Sequence, residues 1–193
     1  MMIAGVDEAG RGALAGPVVA AAVILHPDFE SPYLSDSKQL TAAQRDLVFE
    51  ALQKSDSQIA FHIASHRVID RINILQASLH AMKRSIMRLG VRPDLIRIDG
   101  NRSPELEDFL VETVVKGDSL HPEISAASIV AKVIRDRLMM HYHKRYPNYG
   151  LGQHKGYATK AHCEAVFKHG RSLIHRQSFS ITKQEALFAT KGG

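Results

Sequence analysis

Four carboxylates give the first indication of chemistry in this 193-residue chain. Asp7 and Glu8 stand side by side after the apolar run "IAGV"; Asp99 closes "LIRID" and Asp118 closes "TVVKGD". Apolar runs in separate parts of the chain thus end in acid, followed by glycine or polar residues. If those strand ends are neighbours in a sheet, the acids meet, and their repulsion raises some of the pKa values. A divalent cation removes the conflict, and oxygen-only ligands suit a hard ion, Mn²⁺ or Mg²⁺. Each acid also has a local alternative. Asp-Gly is a common turn, Asp118-Ser119 can cap a helix, and Asp7-Glu8 can be a solvated strand end. Consecutive strand positions point to opposite faces, so Asp7 and Glu8 share a site only if the strand bends or ends between them.

The elements that must position these acids are legible from pattern. Residues 2–7 and 17–25 are short, apolar and glycine-bounded, which predicts two buried strands joined by a turn of about ten residues and hence antiparallel. "TAAQRDLVFEALQK" predicts a helix capped by Thr41, with Gln44 completing a capping box. Residues 58–65 alternate as a strand. Residues 66–90 carry apolar side chains at helical spacing, with Gly90 as the stop. Residues 93–100 and 109–118 predict two more strands, the second ending in Asp118. From Pro122 a long helix runs until Pro147 forbids it. "YGLGQHKGYATK" predicts a glycine-bearing loop, "AHCEAVFKHG" a short helix, and the last stretch one more helix and a frayed end. Strands separated by helices favour parallel pairing, so a mixed sheet with helices on its faces is expected.

Composition narrows the class. No apolar run reaches the roughly 20 residues of a membrane span, and the N-terminus lacks the basic flank of a signal peptide. Cys163 is the only cysteine, so no intrachain disulfide is possible, which fits a reducing cytoplasm. The eleven histidines show no zinc spacing. Charge is divided unevenly. Residues 1–131 hold 13 basic and 17 acidic side chains, and residues 132–193 hold 12 and 3. An acidic part able to hold a metal is followed by a basic part able to grip a polyanion or simply to be solvated.

The blocks "GVDEAGRGALAGPVVAAAV", "LSDSKQL", "RINILQASLHAM", "IDGN", "KGDS", "EISAASIVAKVIRDRLM" and "QHKGYATKAH" occur in family order. Together they resemble bacterial ribonuclease HII from about residue 3 to about residue 180. The resemblance implies an α/β, RNase H-like fold: a mixed five-stranded sheet flanked by helices, with a C-terminal helical extension. A catalytic domain over 1–145 and a basic extension over 146–193 are expected. It implies that Asp7, Glu8, Asp99 and Asp118 form the catalytic metal site. It also implies that Gly10, Arg11, Gly12 and Tyr157 recognise a ribonucleotide and its junction with DNA. Lys38 and Asn73 are candidates for phosphate or base contacts, and His154, close to Tyr157 in "QHKGY", is a further candidate substrate contact. The implied activity is hydrolysis of the RNA strand of RNA–DNA hybrids, and nicking 5′ of ribonucleotides embedded in duplex DNA, with 3′-hydroxyl and 5′-phosphate ends. A cytoplasmic monomer is expected.

Those residue types suit that chemistry. Glycine backbone can approach a 2′-hydroxyl because no Cβ intervenes. Arg11 can pair with a phosphate, and a tyrosine offers a hydroxyl and a flat face. Three other readings compete. Ribonuclease HIII usually carries an extra N-terminal domain, for which a catalytic strand starting at residue 3 leaves no room. A non-catalytic hybrid-binding module gives no reason for four acids at strand ends. A phosphate-binding loop would need the Lys-Ser/Thr ending that "GRGALAG" lacks.

Overall fold

The computed structural model describes residues 1–34 and 40–181. Five strands and six helices order as β1 (Ile3–Ala9), β2 (Val18–Ile24), α1 (Ala42–Lys54), β3 (Gln58–Ala64), α2 (His66–Ile72), α3 (Ile74–Ile86), β4 (Leu95–Asp99), β5 (Val111–Val114), α4 (Pro122–Arg145), α5 (Leu151–His154) and α6 (Lys160–His169). The sheet runs β3-β2-β1-β4-β5. β1 pairs antiparallel with β2 and parallel with β4, and β5 is parallel to β4. The expected mixed five-stranded sheet is therefore present.

One pairing departs from expectation. β3 follows a helix, yet it pairs antiparallel with β2. Ile24 pairs with Gln58, so the connection through α1 returns the chain to the end of β2 that it left. Of the described residues between β2 and α1, Phe29, Tyr33, Leu34 and Leu40 lie on one face, in the same core as Val48, Phe49 and Leu52 of α1.

Two apolar layers flank the sheet. On one face Ala4, Val6, Ala20, Ala22, Ile96 and Ile98 meet Ile69 of α2 and Ala77, Ala81 and Met82 of α3. On the other, Ala9, Ala21 and Val23 meet α1 and Ala127, Ile129 and Val130 of α4. Ile96 and Ile98 are fully buried, each stabilising by about 1.5–3 kcal/mol. α4 crosses β1 at Gly5, where an added Cβ would lie 2.1 Å from the Glu123 carbonyl carbon. That contact is possible only without a side chain, and it sets the depth of α4 on the sheet. Arg97 of β4 ties the layers, bonding Glu112 of β5 at 2.9 Å and Glu123 of α4 at 2.9 Å.

A third cluster, Ala15, Met139, Tyr149, Leu151, Val166 and Ile174, joins the C-terminal segment to the β1–β2 loop and the end of α4. Isolated bridges Ala13–Tyr157 and Ala15–His175 do the same through the backbone.

Local chemistry decides the element ends. Thr41 caps α1 with the expected capping box. The helix expected over 66–90 is two helices. Asn73 adopts φ 66°, ψ 166°, breaks the chain there, and its side chain accepts from the Gln76 amide to cap α3. The break costs backbone strain that the cap offsets only in part. α3 ends at Ile86 with Met87 as its cap, so Gly90 is not the stop. β5 ends at Val114, and Asp118 lies beyond it in a single 3₁₀ turn, Gly117–Ser119. Asp118 therefore ends no strand, and α4 is capped at His121 rather than at Asp118. Residues 171–181 hold no helix, and a later one would fall outside the described residues.

Candidate active site

A cavity of about 410 Å³ is lined by Asp7, Glu8, Asp99 and Asp118, by Gly10, Arg11 and Gly12, and by Tyr157. Arg45, Ser128, Ile129 and Lys132 complete the walls. The four acids come from β1, the end of β4 and the turn before α4.

Register explains how Asp7 and Glu8 reach one place. Val6 pairs with Ile98 in the last step of the β1–β4 ladder, so the next step sets Asp7 level with Asp99. Odd positions of β1 face α4: Gly5 meets Glu123, and Ala9 shares a core with α4. Asp7 and Asp99 thus leave the sheet on the α4 side. Even positions face α3, where Ala4 and Val6 are buried. Glu8 leaves on that side, but β4 has already ended while β1 continues to Ala9. Glu8 reaches the cavity round an edge that β4 no longer covers. The strand does not stop between the two acids: its pairing with β2 continues through Asp7 and Glu8 to Ala9.

Burial makes their charge costly. Burial, then the charges of Glu8 and Asp99, hold the Asp7 carboxyl well above the ordinary range, opposed by the Ser128 hydroxyl and the Glu8 amide. Burial also raises Glu8, and Arg11 opposes it. The Asp7 carboxylate accepts from the Glu8 amide at 2.7 Å, and Arg11 Nη1 donates to Glu8 Oε1 at 3.1 Å. Asp99 Oδ1 accepts from the Gly117 amide at 2.7 Å, which fixes the turn bearing Asp118 against β4. Among the described residues no three His, Cys, Asp or Glu side chains stand close enough to hold one metal ion together as placed. The donor set itself fits a hard divalent cation. It is oxygen only, and burial, then the charges of Glu8 and Asp99, hold Asp7 against ionisation, a conflict that a cation relieves.

The glycine loop is held from behind. At Gly10, φ is +96°, and an added Cβ would lie 1.9 Å from Arg135 Nε. Both guanidiniums beneath the loop, Arg135 and Arg176, are fully buried. Arg135 donates to the carbonyls of Pro17 and Ala15 at 3.0 and 3.3 Å and lies 5.2 Å from the Tyr157 ring centre. Burial and the charge of Arg135 push Arg176 down to about 9, still protonated at neutral pH. Lys132 Nζ lies 5.8 Å from the same ring and pairs with Asp136 at 2.7 Å.

Other expected residues fall elsewhere. Asn73 is exposed, caps α3 and does not line the cavity. Lys38 lies outside the described residues. His154 stacks on His162 at 4.3 Å and bonds the Tyr149 carbonyl, so its contacts are internal. Sequence reasoning missed Ser128, Lys132, Arg135 and Arg176. The first two were findable: Ser128 and Lys132 are four apart on α4, one helical turn on the face that meets β1.

The family model for ribonuclease HII matches residues 4–182. A ribonuclease HII of Nitrosospira multiformis is 53% identical over 182 residues, covering 94% of this chain and 91% of that protein. A ribonuclease HII of Endomicrobium trichonymphae is 51% identical over 178 residues, covering 92% and 85%. Among solved structures, ribonuclease H2 from Pyrococcus horikoshii superposes with a TM-score of 0.76 at 26% identity, covering 99% of this chain and 100% of that one. The fold, the matched span and these relatives agree that the chain belongs to the ribonuclease HII family and is a phosphodiester hydrolase of the ribonuclease H type.

Proposed function

We propose that this chain hydrolyses the RNA strand of RNA–DNA hybrids and nicks 5′ of single ribonucleotides embedded in duplex DNA, leaving 3′-hydroxyl and 5′-phosphate ends. The observation that carries the reading is the shared cavity, which four carboxylates, a lean glycine loop and Tyr157 line together. Asp7, Glu8, Asp99 and Asp118 would hold Mn²⁺ or Mg²⁺. When bound, the ions supply an activated water and neutralise the charge growing on the leaving oxygen. Ser128 and the Glu8 amide favour the ionised form of Asp7 that this role requires. Arg11, half exposed on its contact with Glu8, is free to turn to a phosphate. The loop backbone at Gly10 and Gly12 approaches the ribose, and Tyr157 offers a hydroxyl and a ring face to the sugars at the junction. Residues 1–145 bear the cutting groups and residues 146–193 contribute Tyr157 and basic side chains to the grip. Lys38 and Asn73 remain candidates for phosphate or base contacts.

The test is a duplex with one ribonucleotide beside its all-DNA counterpart, with metal omitted and restored. Metal-dependent cutting of the first alone is expected. Asp99→Asn should keep its circular dichroism spectrum and lose at least about 1000-fold in rate. Equal cutting of both duplexes, or an active Asp99→Asn, overturns the reading.

A further inference from the structure

The described residues after α6, 171–181, hold no helix or strand, yet Arg176 among them reaches back to the first loop of the chain. Its Nη2 donates to the Gly10 carbonyl at 2.6 Å, Nη1 to the Arg11 carbonyl at 2.7 Å and Nε to the Gly16 carbonyl at 3.0 Å. Burying a guanidinium is costly unless its donors are met, and here one loop meets three of them. The loop does little to hold these carbonyls itself: its one internal bond, from the Ala13 amide to the Gly10 carbonyl, is 3.5 Å long.

The orientation has a consequence for the other side of each peptide. A trans peptide holds its C=O and N–H on opposite sides, and no peptide here is cis. With the carbonyls of Gly10 and Arg11 turned to Arg176, the amides of Arg11 and Gly12 turn the opposite way. That is the exposed side of the loop, where space above Gly12 is open and the cavity begins. The cation behind the carbonyls aligns both peptide dipoles with their positive ends outward.

We propose that Arg176 is a positioning residue: by fixing two carbonyls from below, it presets the Arg11 and Gly12 amides as a paired donor for a substrate oxygen. This deepens the proposed function and rests on the glycine loop being the part that senses ribose. Arg176 itself touches no substrate. The segment bearing it is secured elsewhere, since Asp70 of α2 accepts from the amides of Gln177 and Ser178 at 3.0 and 2.9 Å. Arg171 Nη1 and Nη2 add bonds to the carbonyls of Arg176 and Phe179, each at 2.6 Å. The clamp is therefore rigid at its base, as orienting a loop requires. A lysine would keep the charge but not the planar fork that serves three carbonyls at once.

Two measurements test it. In the full-length wild-type protein, ¹⁵N relaxation should give the Arg11 and Gly12 amides order parameters near about 0.85, as in rigid backbone. In Arg176→Lys these amides should loosen while strand amides do not. The same variant should bind Mn²⁺ with wild-type affinity and keep its KM, yet lose about 100-fold in kcat on the one-ribonucleotide duplex. Wild-type order parameters below about 0.6 at Arg11 and Gly12 overturn the proposal even if Arg176→Lys does not fold. A fully active Arg176→Lys overturns it too, as does a variant that loses melting temperature and Mn²⁺ binding in step with rate. If the wild type does not nick that duplex, the functional reading fails while the relaxation data still decide the clamp.

Discussion

At the residue scale the site is governed by the cost of burying like charges. Asp7 is held protonated to a higher pH than an ordinary aspartate, chiefly by burial. A raised carboxyl loses charge earlier as pH falls, so cation-dependent cleavage should decline earlier on the acid side. Ser128 opposes that shift, and Ser128→Ala should move the acid limb of the pH–rate profile upward by about one unit, the lower end of the worth of one hydrogen bond to a charged group. An unmoved limb would show that Asp7 is not the titrating ligand. Tyr157 stands over two cations, Arg135 and Lys132, which fix its ring as a platform. Tyr157→Ala should keep Mn²⁺ affinity, measured by calorimetry, and lose at least about 10-fold in rate at the ribonucleotide junction. The acids were visible in sequence because apolar runs ended in them. Arg135 and Arg176 were not, because a basic residue in a basic region looks solvated until the fold buries it.

At the element scale, position comes from close approach and from where strands stop. α4 can sit on β1 only because Gly5 has no side chain. Gly5→Ala should push the helix outward and cost about 3 kcal/mol, lowering the melting temperature by roughly 10 °C, with rate falling further as Ser128 leaves Asp7. An unchanged melting temperature would mean the helix shifts freely. β1 outruns β4, and that difference in length brings Glu8 to the same centre as Asp7. Strand alternation was readable from sequence, but relative strand length was not, because it depends on which strands become neighbours. The break at Asn73 was also hidden, since α2 and α3 share one apolar periodicity across it.

At the scale of the whole molecule, the first loop of the chain and residues 149–176 are one structure. His162 and His175 are buried with their Nε2 atoms 3.1 Å apart, and His162 Nδ1 meets the Tyr157 carbonyl at 2.9 Å. Burial pushes both imidazoles down to about 4, with the charge of His162 adding to the effect at His175. Each folded value lies below its unfolded one, so the neutral pair is fully tolerated above pH 6.5 and stability is lost as pH falls from there toward 4. At about pH 5 the loss is up to about 2 kcal/mol per imidazole. Buried Asp7 and Glu8 act in the opposite sense, so the test is differential. Between pH 7.5 and 5 (about the buffered range of one instrument run) wild type should lose more melting temperature than His175→Asn; equal losses would remove the pair from the balance. Affinity for the duplex should also fall steeply with salt, by about 100-fold between about 50 and 200 mM. The grip is smaller than the charge of residues 132–193 suggests, because Arg135 and Arg176 spend theirs on carbonyls.

The sequence by itself determined the kind of site. The types and spacing of Asp7, Glu8, Asp99 and Asp118, the glycine loop beside them, the capping box at Thr41 and the long helix stopped by Pro147 all follow from local rules of charge, periodicity and backbone freedom. Tertiary structure alone decided how the parts meet. It made β3 antiparallel to β2 and placed Asp118 in a turn rather than a strand. It brought Arg176 under Gly10, 166 residues away. The physical reason is range: pattern records what each segment prefers with its nearest neighbours, whereas register, strand ends and buried charge are set by contacts between segments far apart in the chain.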